Sequence, residues 1–292
     1  MLEAHALTRA FGSLTAVDGV TFEVRPGRIT GFVGANGAGK TTTMQMLMGV
    51  LSPTSGEVRW RGAPASAADR RTFGYMPEER GLYPRMKIAE QLAFFARLHG
   101  FSSKQAWGRA DELLEFFGLG ERREELLDNL SLGNQQRVQI AASLVHRPSA
   151  LVLDEPFSGL DPLAVDAMVE LLHREAADVP VLFSSHQLDL VERLCDDLIV
   201  LSSGRVVASG TVAELRGRAG EQYRVELDGD NAAWLRDVRG VRVTDVDGSI
   251  ALLTLDGLSA AELARTVTGH GPVLEIARVR PPLSEVFREV TR

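Results

Sequence analysis

Eight consecutive residues, Gly34-Ala35-Asn36-Gly37-Ala38-Gly39-Lys40-Thr41, limit what this chain can fold into more than any other segment. They fit the pattern G-x-x-x-x-G-K-[ST] and stand between a mostly apolar run, 29–33, and a stretch over about 40–48 with helical character. The glycines let the backbone curl until successive N–H groups face a common centre, which suits a phosphate. A helix starting at Lys40 adds its positive end to that centre. Lys40, one of three lysines in 292 residues, would reach the β- and γ-phosphates of a nucleotide, and the Thr41 hydroxyl would ligate Mg²⁺. Gly34, Asn36, Gly37, Ala38, Gly39, Lys40, Thr41 and Thr42 are therefore the expected nucleotide contacts.

A second apolar run, 150–153, ends in Asp154-Glu155-Pro156. A carboxylate at the end of a buried strand sits where a second Mg²⁺ contact is needed, commonly through water, and Asp154 takes that place. Glu155, next to it, is placed to polarise the attacking water. Around these two runs the pattern is that of an α/β layered protein. Strands are expected at 2–9, 20–25, 29–33, 56–61 and 180–184 and as a pair near 198–208. The stretch after 61 reads as loop-rich to about 77. Helices are expected over 88–117, 134–146, 163–177 and 187–194. Residues 216–220 read as a linker between a first domain, 1–215, and a second, 221–292. The second has the order β-α-β-β-α-β, that of a ferredoxin-like α+β fold, followed by a last amphipathic turn at 283–290.

Composition narrows the function classes. No window holds the roughly 18 uninterrupted apolar residues of a spanning helix, and the N-terminus lacks the layout of a signal peptide. Net charge is −7, which argues against a large nucleic-acid footprint. A single cysteine, Cys195, excludes an internal disulfide framework and any multi-cysteine metal site.

Leu130-Ser131-Leu132-Gly133-Asn134-Gln135-Gln136-Arg137, together with the phosphate loop, resembles the signature sequence of ATP-binding-cassette (ABC) ATPases. Other segments resemble that family's motifs in the family's order. Phe11 is similar to the aromatic that stacks on adenine, and Glu78 falls at the Q-loop position. Ser158-Gly159-Leu160-Asp161 looks like the D-loop, and His186, after Ser184-Ser185, like the switch histidine. The resemblance implies a P-loop NTPase fold of the ABC ATPase type, with an antiparallel β subdomain and a helical subdomain over about 80–147.

The resemblance also implies ATP and Mg²⁺ as ligands and hydrolysis by Lys40, Glu155 and His186. Thr41, Glu78 and Asp154 would hold the metal. Two cassettes would face each other head to tail, so that Ser131, Gly133, Asn134 and Asp161 serve a nucleotide bound between domains, in a homodimer or in a heterodimer with a second ABC ATPase. Leu132 and Asn134 replace the common Gly and Gln of the signature, and Glu78 replaces the usual Q-loop Gln. The segment 77–84 and the domain 221–292 resemble the drug- and sodium-exporter-like (NatA-type) members with a C-terminal accessory domain. Those members work with ABC-2-type membrane permeases, which implies a peripheral subunit at the cytoplasmic face, soluble when isolated. Leu82, Tyr83 and Met86 would then line the groove that receives a helix of the permease. The alternative is a soluble, non-transport ABC ATPase acting as a regulatory switch. Only about 90 residues separate Lys40 from Ser131, too few for the long coiled coils of the chromosome and repair ATPases.

Overall fold

A computed structural model describes residues 1–79, 81–160, 162–175, 178–218, 221–229, 231–279, 283 and 287. The chain divides into two units, Met1–Val212 and Ala213–Arg292. Asp161 and most of 283–290 lie outside the described residues.

The first unit is organised by a six-stranded sheet. Its spatial order is Arg205–Thr211, Asp197–Ser202, Ile29–Val33, Val181–Ser185, Ala150–Leu153, Phe73–Met76. Five of these strands run parallel, and Arg205–Thr211 closes one edge antiparallel. Ile29–Val33, Ala150–Leu153 and Val181–Ser185 are buried along their whole length, as parallel strands covered on both faces must be. A second, antiparallel sheet pairs Leu2–Phe11 with Leu14–Val24 on one side and Ser55–Trp60 on the other. Leu2, Leu7, Val20 and Phe22 of this sheet share one core with Phe32, Val152 and Leu182 of the parallel sheet and with Met44 and Leu47 of the helix Lys40–Met48.

Helices Ile88–Leu98, Ser103–Phe116 and Leu132–Leu144 pack on one another. The expected single helical stretch over 88–117 is two helices. Gly100, at φ 88°, ends the first, and Ser102 starts the second through a reciprocal capping box with Gln105.

Two further expectations change. The loop-rich stretch contains the edge strand Phe73–Met76, four residues long and interrupted by Gly74, too short to show a period. A Cβ at Gly74 would stand 2.3 Å from the carbonyl oxygen of Ser143, so only glycine lets the signature helix lie this close to the strand. Residues 216–218, read as linker, continue the helix Val212–Arg218.

The second unit is a four-stranded antiparallel sheet in the order Val241–Asp247, Ile250–Leu255, Gln222–Leu227, Val273–Val279. That is the ferredoxin-like arrangement, with a 3-10 turn, Ala232–Asp237, in place of the first helix and Ala260–His270 as the second. Val225, Leu227, Leu235, Leu253, Leu263 and Val267 form its own core.

Among the described residues no helix is long and apolar enough to cross a membrane.

Candidate nucleotide site

The phosphate loop leaves the carboxyl end of Ile29–Val33 and enters the helix Lys40–Met48. Gly39 caps that helix at φ 101°, and a Cβ there would lie 2.6 Å from the Ala16 carbonyl oxygen. The first turn carries no acidic side chain and no side-chain cap, so its N–H groups and dipole are left for an anion. Lys40 is buried, and its ammonium donates to the carbonyls of Gly34 at 2.8 Å and Ala35 at 3.3 Å, which holds Nζ across the loop.

Two strands supply the carboxylates. Asp154 is fully buried, directly after Ala150–Leu153. The Ser184 hydroxyl, one strand away, donates to Asp154 Oδ1 at 2.5 Å and accepts the backbone N–H of Glu155 at 2.8 Å. One hydroxyl thus fixes both acidic residues. Glu155 needs that hold, because its φ of 51° is a left-handed backbone that a non-glycine residue adopts at a cost. Asp154 Oδ2 is buried with no hydrogen-bond partner among the described residues. A buried anionic oxygen of this kind costs free energy unless a cation or water meets it, and a hard divalent cation suits it. Burial first, and the Asp154 charge second, push the nearby Tyr75 phenol up to about 12, so it stays neutral beside that carboxylate.

His186 follows the strand Val181–Ser185, and its Nδ1 lies 3.0 Å from Glu155 Oε2. A carboxylate only accepts, so Nδ1 carries the proton and Nε2 is left for another partner.

A cavity of about 400 Å³ brings together most of the phosphate loop and the carboxylates; Gly34, Ala38 and His186 are not among its lining residues. Asn36, Gly37, Gly39, Lys40, Thr41 and Thr42 line one side, and Glu78, Asp154 and Glu155 the other, with Ala16 beside them. Among the described residues no cluster of three His, Cys, Asp or Glu could hold a metal alone. Thr41, Glu78 and Asp154 fit Mg²⁺ only if phosphate and water oxygens complete its shell, the usual arrangement for that ion.

Other expected site residues lie elsewhere. Phe11 ends Leu2–Phe11, half exposed, with the Arg9 guanidinium 4.6 Å over its ring, and is not among the residues lining the cavity. Neither are Ser131, Gly133 and Asn134, which open the helix Leu132–Leu144 with Ser131 as its N-cap. Asp161 lies outside the described residues.

Three residues that the motifs did not single out position the site: Ser184, Gln136 and Gln139. Gln136 Nε2 donates to the carbonyls of Pro156 at 3.0 Å and Glu155 at 3.4 Å. Gln139 Nε2 donates to those of Pro77 at 2.8 Å and Glu79 at 3.3 Å. A buried glutamine on an otherwise apolar helix face is a sequence signal for such a bond, and both stand within or just after the signature stretch.

Comparison with known proteins places the chain. A model of the ABC transporter family matches residues 17–158, and one of the DrrA1-3-like ATP-binding protein C-terminal domain matches 210–291. The ABC transporter ATP-binding protein YhaQ of Bacillus subtilis is 35% identical over 291 residues, 99% of this chain and 98% of that protein. The chain belongs to the ABC transporter ATP-binding family. The linearmycin resistance ATP-binding protein LnrL of Bacillus subtilis is 32% identical, over 100% of this chain and 98% of that protein. The bacitracin transport ATP-binding protein BcrA of Bacillus licheniformis is 35% identical over 80% and 77%. Among solved structures, an ATP-binding subunit of an ABC transporter superposes with a TM-score of 0.70 at 34% identity, covering 75% of this chain and 93% of that one. A dimeric bacterial ABC transporter cassette shares the fold, with a TM-score of 0.67 at 21% identity. The ABC cassette is an ATPase, and its fold is the one built here from two sheets and a helical layer.

Proposed function

We propose that this chain is the ATP-hydrolysing subunit that energises export through a separate ABC-2-type membrane permease, as a head-to-tail dimer that closes on ATP and opens after hydrolysis. One observation carries the dimer. The phosphate-loop cavity and the signature turn are separate surfaces of one chain: Ser131 is exposed at a helix N-terminus whose first turn has no acidic residue. Each is half of a phosphate site, and a second cassette supplies the other half. Leu132, 61% exposed where the family commonly has glycine, adds an apolar contact to the face presented to that second cassette.

In the closed dimer Lys40 and the loop N–H groups hold the β- and γ-phosphates, and Ser131 and the Gly133 N–H of the partner copy meet the γ-phosphate from the other side. Thr41, Glu78 and Asp154 would hold Mg²⁺, which would supply positive charge to offset that of the phosphates. Glu155 orients the water and takes its proton as it attacks the γ-phosphorus, while the bond from that phosphorus to the β–γ bridging oxygen breaks and ADP leaves with the electron pair. His186, held through Nδ1, presents Nε2 to the γ-phosphate. Most of the rate comes from positioned charge. Loss of the shared phosphate removes the contact that joins the halves.

Docking to the permease is assigned to a groove of about 300 Å³ beside the Q-loop, lined by Tyr75, Pro77, Leu82, Phe95 and Gln139 among others. Of the three residues expected there, Leu82 lines the groove, Tyr83, half exposed, stacks on the lining Phe95, and Met86 is not among the lining residues. The names of the relatives, concerned with resistance, transport and export, support the outward direction. Peripheral attachment at the cytoplasmic face follows from this reading. Glu155→Gln tests it: the variant should bind ATP, accumulate as a dimer and barely turn over. Near-normal steady-state hydrolysis would contradict the assignment of Glu155, and recovery of the chain without any membrane permease would favour a soluble switch.

A further inference from the structure

The helix Leu132–Leu144 begins at Ser131 and is bonded along its length to loops of the chain's own nucleotide cavity. Gln136, 8% exposed, donates to Glu155 and Pro156, and Gln139, 4% exposed, donates to Pro77 and Glu79, on either side of Glu78. Gln135 donates to Leu127 and Leu130, which fixes the approach to the signature turn. At 1.5 Å per residue, Gln139 stands about 12 Å along the helix from Ser131, so the whole linkage lies within one short rigid rod.

In the head-to-tail dimer, Ser131 serves the nucleotide held by the partner's phosphate loop, whereas Glu155 and Glu78 serve the chain's own. The helix therefore has one end at one nucleotide and two side-chain bonds at the other. We infer that Gln136 and Gln139 are positioning residues that couple the two nucleotide sites, by tying the signature helix to the backbone of Glu155 and to the residues on either side of Glu78. This inference rests on the dimer reading above. Binding at one site that shifts the partner's signature turn moves, through that chain's helix, the peptide that carries its own Glu155. The bonds go to backbone carbonyls, so they set where the carboxylates stand without altering their chemistry. Glu155 is the residue most open to such control, since its left-handed backbone is held from one side by Ser184 and from the other by Gln136.

The test replaces each glutamine by methionine, which keeps length and volume and removes the donor. Hydrolysis by the full chain is followed against ATP concentration, with fluorescent-nucleotide binding and melting as controls. The wild-type curve should be sigmoidal, with a Hill coefficient above 1 and at most that of two coupled sites. In Gln136→Met and Gln139→Met the coefficient should fall towards 1 and kcat drop by about tenfold, while half-saturation moves by less than about twofold. A merely structural role would lower the melting temperature and leave the sigmoid shape unchanged. A wild-type coefficient of 1, or one that survives both substitutions, overturns the inference. If Glu155→Gln remains a monomer with ATP, the dimer reading fails, and the coupling falls with it.

Discussion

The carboxylate of Glu155 and the imidazole of His186 meet at 3.0 Å, Oε2 to Nδ1, across the gap between two neighbouring strand ends. This contact sets the imidazole tautomer before any nucleotide is present. His186→Ala should therefore lower ATP turnover by about 100-fold or more, the range for a lost proton-transfer or positioning partner. Binding of MgATP should change by less than about threefold. Single-turnover hydrolysis beside equilibrium binding separates the two, and equal loss in both would remove His186 from the chemistry.

Ser184 is the least conspicuous residue with a large expected effect. Its hydroxyl is shared between Asp154 Oδ1 and the Glu155 N–H, so Ser184→Ala strips one bond from each acidic residue. The buried groups left unpaired should cost about 1–3 kcal/mol of stability. Turnover should fall at least about tenfold with little change in KM, because Glu155 loses its backbone hold. Ser184→Thr, which keeps the hydroxyl, should restore turnover if the bonds are what matters.

His99 and His146 stack with ring centroids 3.8 Å apart beside the Q-loop groove. Burial, and then the His99 charge, depress the His146 pKa from 6.5 to about 4, and burial lowers His99 as well. His146 donates from Nε2 to the Phe73 carbonyl at 3.2 Å and is neutral in the fold. The unfolded chain binds more protons between those two values, so this contribution to stability is fully present above pH 6.5 and is lost as pH falls towards 4. The loss should be on the order of 2 kcal/mol once the partial exposure of the ring is allowed for. His146→Gln keeps a donor and removes the titration, so its stability should depend less on pH between 7.5 and 5 than the wild type's. Denaturant midpoints at the two pH values would show it, and an unchanged slope would refute it.

Gly74→Ala places a methyl group 2.3 Å from the Ser143 carbonyl oxygen, a backbone atom with no side-chain freedom to yield, and 2.8 Å from Leu151 Cδ1. The substitution should cost about 1–3 kcal/mol and loosen the edge strand that leads to Glu78. Thermal unfolding would record the first effect and a rise in KM for MgATP the second.

The second unit has its own core, and a model of the DrrA1-3-like C-terminal domain matches residues 210–291. A chain ending at residue 212 should keep nucleotide binding and lose part of its ATP-dependent pairing. Light scattering of the truncated and full chains on the Glu155→Gln background measures this. Identical pairing would leave the second unit no part in the dimer.

The parts of the candidate site that stand out by residue type and spacing are legible in the sequence: the loop 34–41, the Asp154-Glu155 pair and His186 are contiguous motifs at strand ends. Residues that act through geometry alone are not. Ser184 shows as half of a Ser-Ser pair, and only the parallel register of Val181–Ser185 beside Ala150–Leu153 reveals that its hydroxyl lies against Asp154. The strand Phe73–Met76 escaped because its glycine, needed for the approach of Ser143, also interrupts the apolar run. The helix break at Gly100 was hidden by apolar residues that keep one period on both sides of it. Gln136 and Gln139 bond to carbonyls 19 to 62 residues away, and local pattern carries no information about such partners.

The strands Ile29–Val33, Val181–Ser185 and Ala150–Leu153 are consecutive neighbours, so the phosphate loop, His186 and the acidic pair stand one strand apart in turn. That pitch, about 4.8 Å, is dictated by peptide hydrogen bonding and by nothing specific to this sequence. The scale of the engine is thus a constant of the polypeptide backbone. Adaptation to one task or another is left to surfaces outside that spacing, such as the exposed rim of the Q-loop groove and the second unit.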